Sequence, residues 1–235
     1  MTDSTRLCGG IIAAGEGSRL REGGFAMPKP LVPVAGVPLI ESVIENFVAA
    51  GVTSLVIIVN EQGRACVEWV RDRFPHLDLD FIVKTTRSSL ESFLEVRRRM
   101  TGPRALISTV DTWCRPAAFA RFVDAALQRP ARVSVLAVTP LVEDDNPLWV
   151  HADAHGRVEA LGGRPAPLVT AGAYVLSDQA RTLTAPPLPR LRDFLGWLVQ
   201  QGHPVYAETI ETVVDVDRAS DVARAESIVR AGRET

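Results

Sequence analysis

Two cations near the start of the chain sit in contexts able to use them. Arg19 follows the glycine-rich segment "GGIIAAGEGSRL", and Lys29 stands in "PKP". A glycine-rich turn between a strand and a helix presents backbone N–H groups to phosphate, because only glycine lets the backbone approach that closely. Prolines on both sides of Lys29 restrict the local backbone, so its amine is expected at a set place rather than waving in solvent. Taken alone, a loop arginine or lysine is more often a bystander. Two familiar phosphate motifs do not fit. The dinucleotide fingerprint needs a third glycine where Leu20 stands, and the P-loop needs its lysine directly after the second glycine.

The elements that must position these residues follow from the hydrophobic pattern. Short β-branched runs alternate with stretches of helical period, the mark of an α/β domain with a mainly parallel sheet flanked by helices. The runs are "LCGGIIAA", "SLVIIVN", "LDLDFIVK", "RALISTV" and "RVSVLAVT". Between them, "PLIESVIENFVAAG", "ACVEWVRDRF", "SSLESFLEVRRRM" and "PAAFARFVDAALQR" read as crossover helices, the first with Pro38 in its opening turn and Gly51 at its end. After Pro140 the texture becomes rich in Pro, Gly and short alternating runs, which predicts an antiparallel elaboration with long loops. "RLRDFLGWLVQQG" resumes a helix, "TVVDVD" is a short strand, and "RASDVARAESIVRAG" closes the chain. The expected organisation is one domain over 1–235, with Rossmann-like βα units over about 6–139 and, over 140–235, the elaboration where substrate loops are expected, followed by the closing strand and helix.

Composition narrows the class. The 235 residues carry 26 Lys+Arg against 28 Asp+Glu, a formal net charge of −2, with no basic half to suit nucleic acid. The run Arg97–Arg98–Arg99 reads as the solvated end of a helix. Three scattered cysteines, Cys8, Cys66 and Cys114, fit neither a disulfide framework nor a zinc site, which points to a reduced, cytoplasmic setting. "MTDSTR" lacks the features of a signal peptide, and no apolar run is long enough for a bilayer span, so no membrane association is expected.

"IIAAGEGSRL" followed by "PKPLVPVAGVPLIE" resembles the signature of the sugar-1-phosphate nucleotidylyltransferases, or nucleotide-sugar pyrophosphorylases. The resemblance implies that the loop of Ala13, Ala14, Gly15, Gly17 and Ser18, with Arg19, wraps the triphosphate of a nucleoside triphosphate, and that Lys29 contacts phosphate in the transition state. It continues along the chain. "LISTVD" places Asp111 where the family keeps a magnesium-binding aspartate, and "VVDVDRASDVARAE" makes Asp215 the second metal ligand. "TAGAYVLS" resembles the G-x-Y stretch beneath the sugar, implying acceptor contacts from Thr170 and Gly172. In "GGRPAP", Arg164 stands where relatives keep a phosphate-gripping basic residue, though Gly163 replaces their acid.

The implied reaction joins two anions, so cations must cover both reactants and the leaving pyrophosphate. Arg19, Lys29 and a bound Mg2+ would do that. Mg2+ takes oxygen ligands from one or two carboxylates plus phosphates, and Asp111 and Asp215 each follow an apolar run that puts them at the carboxyl edge of the sheet. Asp217, nearer the closing helix, reads as its cap. A phosphate monoester has a second pKa of about 6 and needs no general base, so His76, His151, His155 and His203 are expected at the surface. No G-x-S-x-G elbow supports a hydrolase.

Two departures bear on the acceptor. "KTTRSSLESF" resembles the phosphocholine and inositol-phosphate cytidylyltransferases, making Ser88 or Ser89 a base contact or a helix cap. In "DTWCRPAAF", Thr112, Trp113 and Cys114 line the acceptor pocket, or Trp113 packs on the next helix. The leading expectation is transfer of NMP from an NTP to a sugar 1-phosphate. The rival acceptor is a phospho-alcohol with CTP, and the rival class is a non-catalytic nucleotide sensor. A glycosyltransferase would want a D-x-D pair after the fourth strand, where Asp111-Thr112-Trp113 stands instead. The expected partners are a nucleoside triphosphate and a phosphorylated small molecule, with base, pathway and oligomeric state (a homo-oligomer included) left open.

Overall fold

A computed structural model describes residues 7–141 and 146–232. The start "MTDSTR", on which the expectation of no signal peptide rests, and 142–145 of the Pro/Gly-rich stretch lie outside the described residues. The first half runs β1 (Cys8–Ala13), α1 (Ser18–Glu22), β2 (Pro33–Val34), β3 (Val37–Pro38), α2 (Leu39–Ala49), β4 (Ser54–Val59), α3 (Ala65–Arg73), β5 (Asp78–Val83), α4 (Ser89–Arg99) and β6 (Arg104–Thr109). It continues with β7 (Thr112–Trp113), α5 (Pro116–Gln128), β8 (Ser134–Thr139), β9 (Trp149–Ala152), β10 (Val158–Leu161) and β11 (Leu168–Ser177). The chain then closes with α6 (Asp178–Thr182), α7 (Leu191–Gln200), β12 (Val205–Thr209), β13 (Val214–Asp215) and α8 (Ala219–Ala231).

One nine-stranded sheet carries the fold, with β5, β4, β1 and β6 side by side and parallel. The expected α/β class holds, and so does the antiparallel second half: β11 runs antiparallel to β6, β8 and β9, and β10 to β9. The segment "PVYAET" had no assignment from the sequence pattern, yet Val205–Thr209 forms β12, parallel to β8. Its alternation is short and its residues only half-buried, so little in composition separates it from a loop. Pro38 stands just before α2 rather than in its first turn, while Gly51, at φ +77°, closes that helix as expected.

Side chains from the two sheet faces form two cores, one under α2, α3, α5 and α8 and the other under α4, α6 and α7. The central strand is thin on purpose. A Cβ on Gly9 would come within 2.4 Å of Leu55 and 2.6 Å of Phe47, and one on Gly10 within 2.7 Å of Val96 and 2.8 Å of Ile107. The two glycines therefore let α2 and α4 pack down onto opposite faces of β1, holding the loop after it to the scaffold.

Trp113 and Cys114 are buried in the first core at 7% and 2% exposure, so of the "TWC" stretch only Thr112 reaches the cleft described below. Burial pushes the Cys114 thiol up to about 12, against the pull of a hydrogen bond from Asn46, which leaves it inert. The arginine run is mixed. Arg98 and Arg99 are exposed and pair with Glu95 and Asp80, but Arg97 Nη1 donates to the Arg181 and Leu183 carbonyls at 2.8 Å and ties α4 to the C-terminal end of α6. Among the described residues no helix is long and apolar enough to cross a membrane.

Gly9→Ala is expected to overpack the strand–helix contact and cost about 1–3 kcal/mol. Urea unfolding checks this: the midpoint should fall with the slope unchanged.

Candidate functional site

The glycine loop leaves β1 at the carboxyl edge of the parallel strands. Asn60, at the end of β4, donates from Nδ2 to the carbonyls of Ala14 (3.3 Å) and Gly15 (3.1 Å) while its Oδ1 accepts from Gly63 N at 2.8 Å. One buried side chain thus fixes the loop's carbonyl side. Gly17 adopts φ +61°, and a Cβ there would stand 2.7 Å from the Lys29 Cβ. This glycine is required twice over, by a left-handed backbone and by the passage of Lys29 against it.

Lys29 opens a short 3-10 turn, Lys29–Leu31, and is only 7% exposed. The set position expected from the flanking prolines is observed, though as a buried amine. Its Nζ donates to Asp111 Oδ2 at 2.7 Å and to Asp217 Oδ1, and Arg19 Nη1 donates to Asp217 Oδ2 at 3.1 Å. Burial alone would lower the lysine pKa; attraction from Asp111, then Asp217, outweighs it and holds the amine above its ordinary value. Burial likewise works to raise Asp111, but the Lys29 charge and hydrogen bonds from Lys29 and Thr109 hold its carboxyl below the ordinary range.

Asp111 follows β6, and Asp215 is brought to it by a small ribbon. β13 pairs antiparallel with β7, so that Asp215 lies opposite Thr112, and Val216 N donates to the Asp111 carbonyl at 3.0 Å. One carboxylate oxygen each from Asp111, Asp215 and Asp217 lies within 4.8 Å of the others. Asp217 therefore belongs to the site and does not cap α8 with its side chain. That work falls to Asp221, whose Oδ2 accepts from the backbone N–H of Arg218 (2.6 Å) and Asp217 (2.9 Å). The sequence pattern misassigned Asp217 because nearness to α8 is a local cue, whereas its pairs with Lys29 and Arg19 come from the other end of the chain.

These residues open onto a cleft of about 300 Å³ lined by Arg19, Ser89, Asp111, Thr170, Gly172 and Asp215 among others. Gly172 brings β11 into its lining. At φ +68° it lets β11 cross the Thr109–Thr112 hydroxyl pair (2.9 Å), where a Cβ would meet Thr112 Oγ1 at 2.0 Å. Beside it the Tyr174 phenol lines the cleft; burial, then the charges of Asp111 and Asp215, push its pKa up, with Arg192 pulling the other way.

Not every expected residue reaches the cleft. Ala13, Ala14, Gly15, Gly17 and Ser18 build the loop before Arg19 but do not line it, and Ala13 and Ala14 are buried, leaving only their backbone to meet a ligand. Ser88 caps α4, its side chain accepting from Glu91 N at 3.2 Å, while Ser89 accepts from Leu191 N at 3.1 Å and does line the cleft. Arg164 is exposed on the turn between β10 and β11 and is not a lining residue; Arg190 and Arg192, at the start of α7, are. The four histidines are exposed or half-buried and none lines the cleft, as expected.

A cation clamp beside clustered carboxylates, at the carboxyl edge of a mainly parallel sheet, is the layout of an α/β domain that handles a nucleotide's phosphates. The chain belongs to the MobA-like NTP transferase domain family, whose model matches residues 9–181. It is 29% identical over 206 residues to CMP-5'-(3-aminopropyl)phosphonate synthase of Streptomyces rubellomurinus, covering 84% of this chain and 32% of that protein. With UTP--glucose-1-phosphate uridylyltransferase of Escherichia coli (strain K12) it shares 28% over 135 residues, 57% of this chain and 39% of that one. The chain thus spans about a third of the length of these curated relatives. The solved inositol-1-phosphate CTP transferase from T. maritima has the same fold, with a TM-score of 0.81 at 19% identity over 97% of each chain.

The Asp111 contribution to stability is present above the usual carboxylate range and is lost as pH falls through its lowered pKa. The Lys29 contribution is present below the usual lysine range and is lost as pH rises through its raised one. Lys29→Met is therefore expected to cost about 2–3 kcal/mol, since breaking a buried pair costs 3–5 and these carboxylates keep some solvent. Denaturant unfolding at several pH values should show that difference constant from about pH 5 to 9 and shrinking below about pH 4.

Proposed function

We propose that this chain transfers a nucleoside monophosphate from a nucleoside triphosphate to the phosphorus anion of a small acceptor, releasing pyrophosphate. The observation that carries this reading is the buried Lys29 amine, held by Asp111 and Asp217 beside Arg19 and the glycine loop. An acceptor oxygen attacks the α-phosphorus, the bond from that phosphorus to the β-bridging oxygen breaks, and pyrophosphate leaves with the electron pair. Arg19 and Lys29 take up charge on the triphosphate, where positioning and neutralisation supply most of the catalysis. The loop carbonyls are engaged by Asn60, so the amides are the loop's offer to phosphate.

The clustered carboxylates are hard oxygen donors and fit a divalent cation, with Mg2+ the one that suits phosphate co-ligands. Asp111 and Asp215 would hold it, and when bound it supplies neutralising charge to the phosphates. The acceptor is already an anion near neutral pH, so no histidine is needed. The relatives named above pair nucleotides with a phosphonate and with glucose 1-phosphate, and a phosphorus anion is what those acceptors share. We read the chain as one such transferase domain.

Pyrophosphate release measured in Mg2+ over a matrix of nucleoside triphosphates and phosphate or phosphonate acceptors tests this. At least one pair is expected to turn over, and Lys29→Ala, checked for retained fold, should lower kcat/KM by about 10²–10³. No release with any pair would overturn the reading.

A further inference from the structure

Resting on that reading, we infer that Asn60 is a positioning residue for the triphosphate: it turns the Ala14 and Gly15 carbonyls toward itself and so aims the Gly15 and Glu16 amides at phosphate. The parallel ladder between β1 and β4 ends at the pair Ala13 and Val59, so beyond it the loop carbonyls have no partner from that strand's backbone. The Asn60 side chain takes them up instead, Nδ2 donating to Ala14 O at 3.3 Å and to Gly15 O at 3.1 Å. Its other end is held too, because Oδ1 accepts from Gly63 N at 2.8 Å and caps the 3-10 turn Glu61–Gly63. That bond settles which end of the amide faces the loop, since Gly63 N needs an acceptor and the carbonyls need donors. At 7% exposure the side chain is shielded from water that would compete for these bonds.

The orientation of the amides follows from peptide geometry. A trans peptide is planar, with its C=O and N–H on opposite sides. The Ala14 carbonyl shares its peptide with the Gly15 amide, and the Gly15 carbonyl shares one with the Glu16 amide. Both amides therefore point away from Asn60, and neither donates to a protein group among the described residues. Gly15 and Glu16 are exposed, and a Cβ on Gly15 would meet nothing within 4 Å, so the space beside this part of the loop is open. Consecutive backbone donors on one open side suit an anion, and Arg19 follows on the same loop. Donors fixed before the ligand arrives cost no reorganisation when its charge meets them, whereas a loose loop would have to be ordered by the triphosphate. Arg21 Nη1 also reaches this turn, donating to Gln62 Oε1 at 3.0 Å, but that pair is exposed and water competes for it. The buried Asn60 is thus the member of the turn that sets the loop.

The experiment measures pyrophosphate release in Mg2+ by the wild type, Asn60→Asp, Asn60→Ala and Gln62→Ala, with ATP, CTP, GTP and UTP against the phosphate and phosphonate acceptors of the matrix above. Asn60→Asp keeps the shape and the bond to Gly63 N but sets an oxygen where the donor to the two carbonyls stood. Both Asn60 variants, checked for fold by denaturant unfolding, are expected to raise the triphosphate KM by about tenfold or more, as lost hydrogen bonds of this kind do. The acceptor KM should stay within about twofold, and Gln62→Ala should leave both KM values within about twofold. Loss of stability alone would lower the active fraction, and with it the apparent kcat, while moving neither KM. The wild type gives a second readout that needs no variant: in 1H–15N NMR, the Mg2+ complex of inorganic tripolyphosphate is expected to shift the Gly15 and Glu16 amides. An unchanged triphosphate KM in a folded Asn60 variant, or bound tripolyphosphate that leaves both amides unshifted, would overturn this inference with the transferase reading intact. No pyrophosphate from any pair, with both amides still shifted by tripolyphosphate, would overturn the transferase reading and leave the loop assignment standing.

Discussion

The buried Lys29 amine is the constraint on which the rest of the site depends. An ammonium removed from water is costly unless carboxylates meet it with good geometry, and here two do, from segments far apart in the chain. Asp111 comes from the end of a central strand and Asp217 from just before the last helix, so the clamp forms only when the first and last parts of the fold are docked together. The amine also fixes Gly17, whose missing side chain is the space through which Lys29 passes. Loop, lysine and carboxylates are one packed unit.

That unit needs a support that keeps like charges close. Three carboxylates within 4.8 Å repel one another, and the structure answers with Lys29 and Arg19 rather than with distance. The β7–β13 ribbon, short as it is, sets Asp215 opposite Thr112 and so beside Asp111. Beneath it Gly172 lets β11 approach the threonine pair, a contact no larger residue would allow. The sheet edge is thus shaped by backbone proximity, and charge is layered on top.

Much of this was readable in the residues. The five parallel-type strands and their crossover helices follow from apolar runs and helical period, and Arg19, Lys29, Asp111 and Asp215 were singled out by motif and are brought together. What escaped depends on long-range packing. Asn60 carries no local signal, because an asparagine after a strand is ordinary until the loop it pins is in place. Asp217 looked like a cap because helix proximity is a local cue, whereas its ion pairs lie across the fold. Arg164 was singled out by the resemblance while Arg190 stood unremarked at the head of a helical stretch, and only the course of the chain from β11 to α7 decides which reaches the cleft. The strand β12 was missed for a similar reason: its partner β8, not its own pattern, makes it a strand.

The arrangement of cations then says something about order. On the proposed reading the triphosphate must displace Asp217 from Arg19, an exposed pair that holds on weakly in water, while the buried Lys29–Asp111 contact is far harder to open. Arg19 is therefore the mobile member of the clamp and Lys29 the fixed one. A nucleotide arriving at the glycine loop finds one cation already aimed and one ready to be exchanged, and its own charge compensates Arg19 for the carboxylate it leaves. Asp217, still held by Lys29 but no longer neutralised by Arg19, then leaves more uncompensated negative charge beside Asp111 and Asp215, so triphosphate binding on one side raises the demand for a divalent cation on the other. Coupling of nucleotide and metal thus follows from one shared carboxylate, and from the difference in burial between the two cations that hold it.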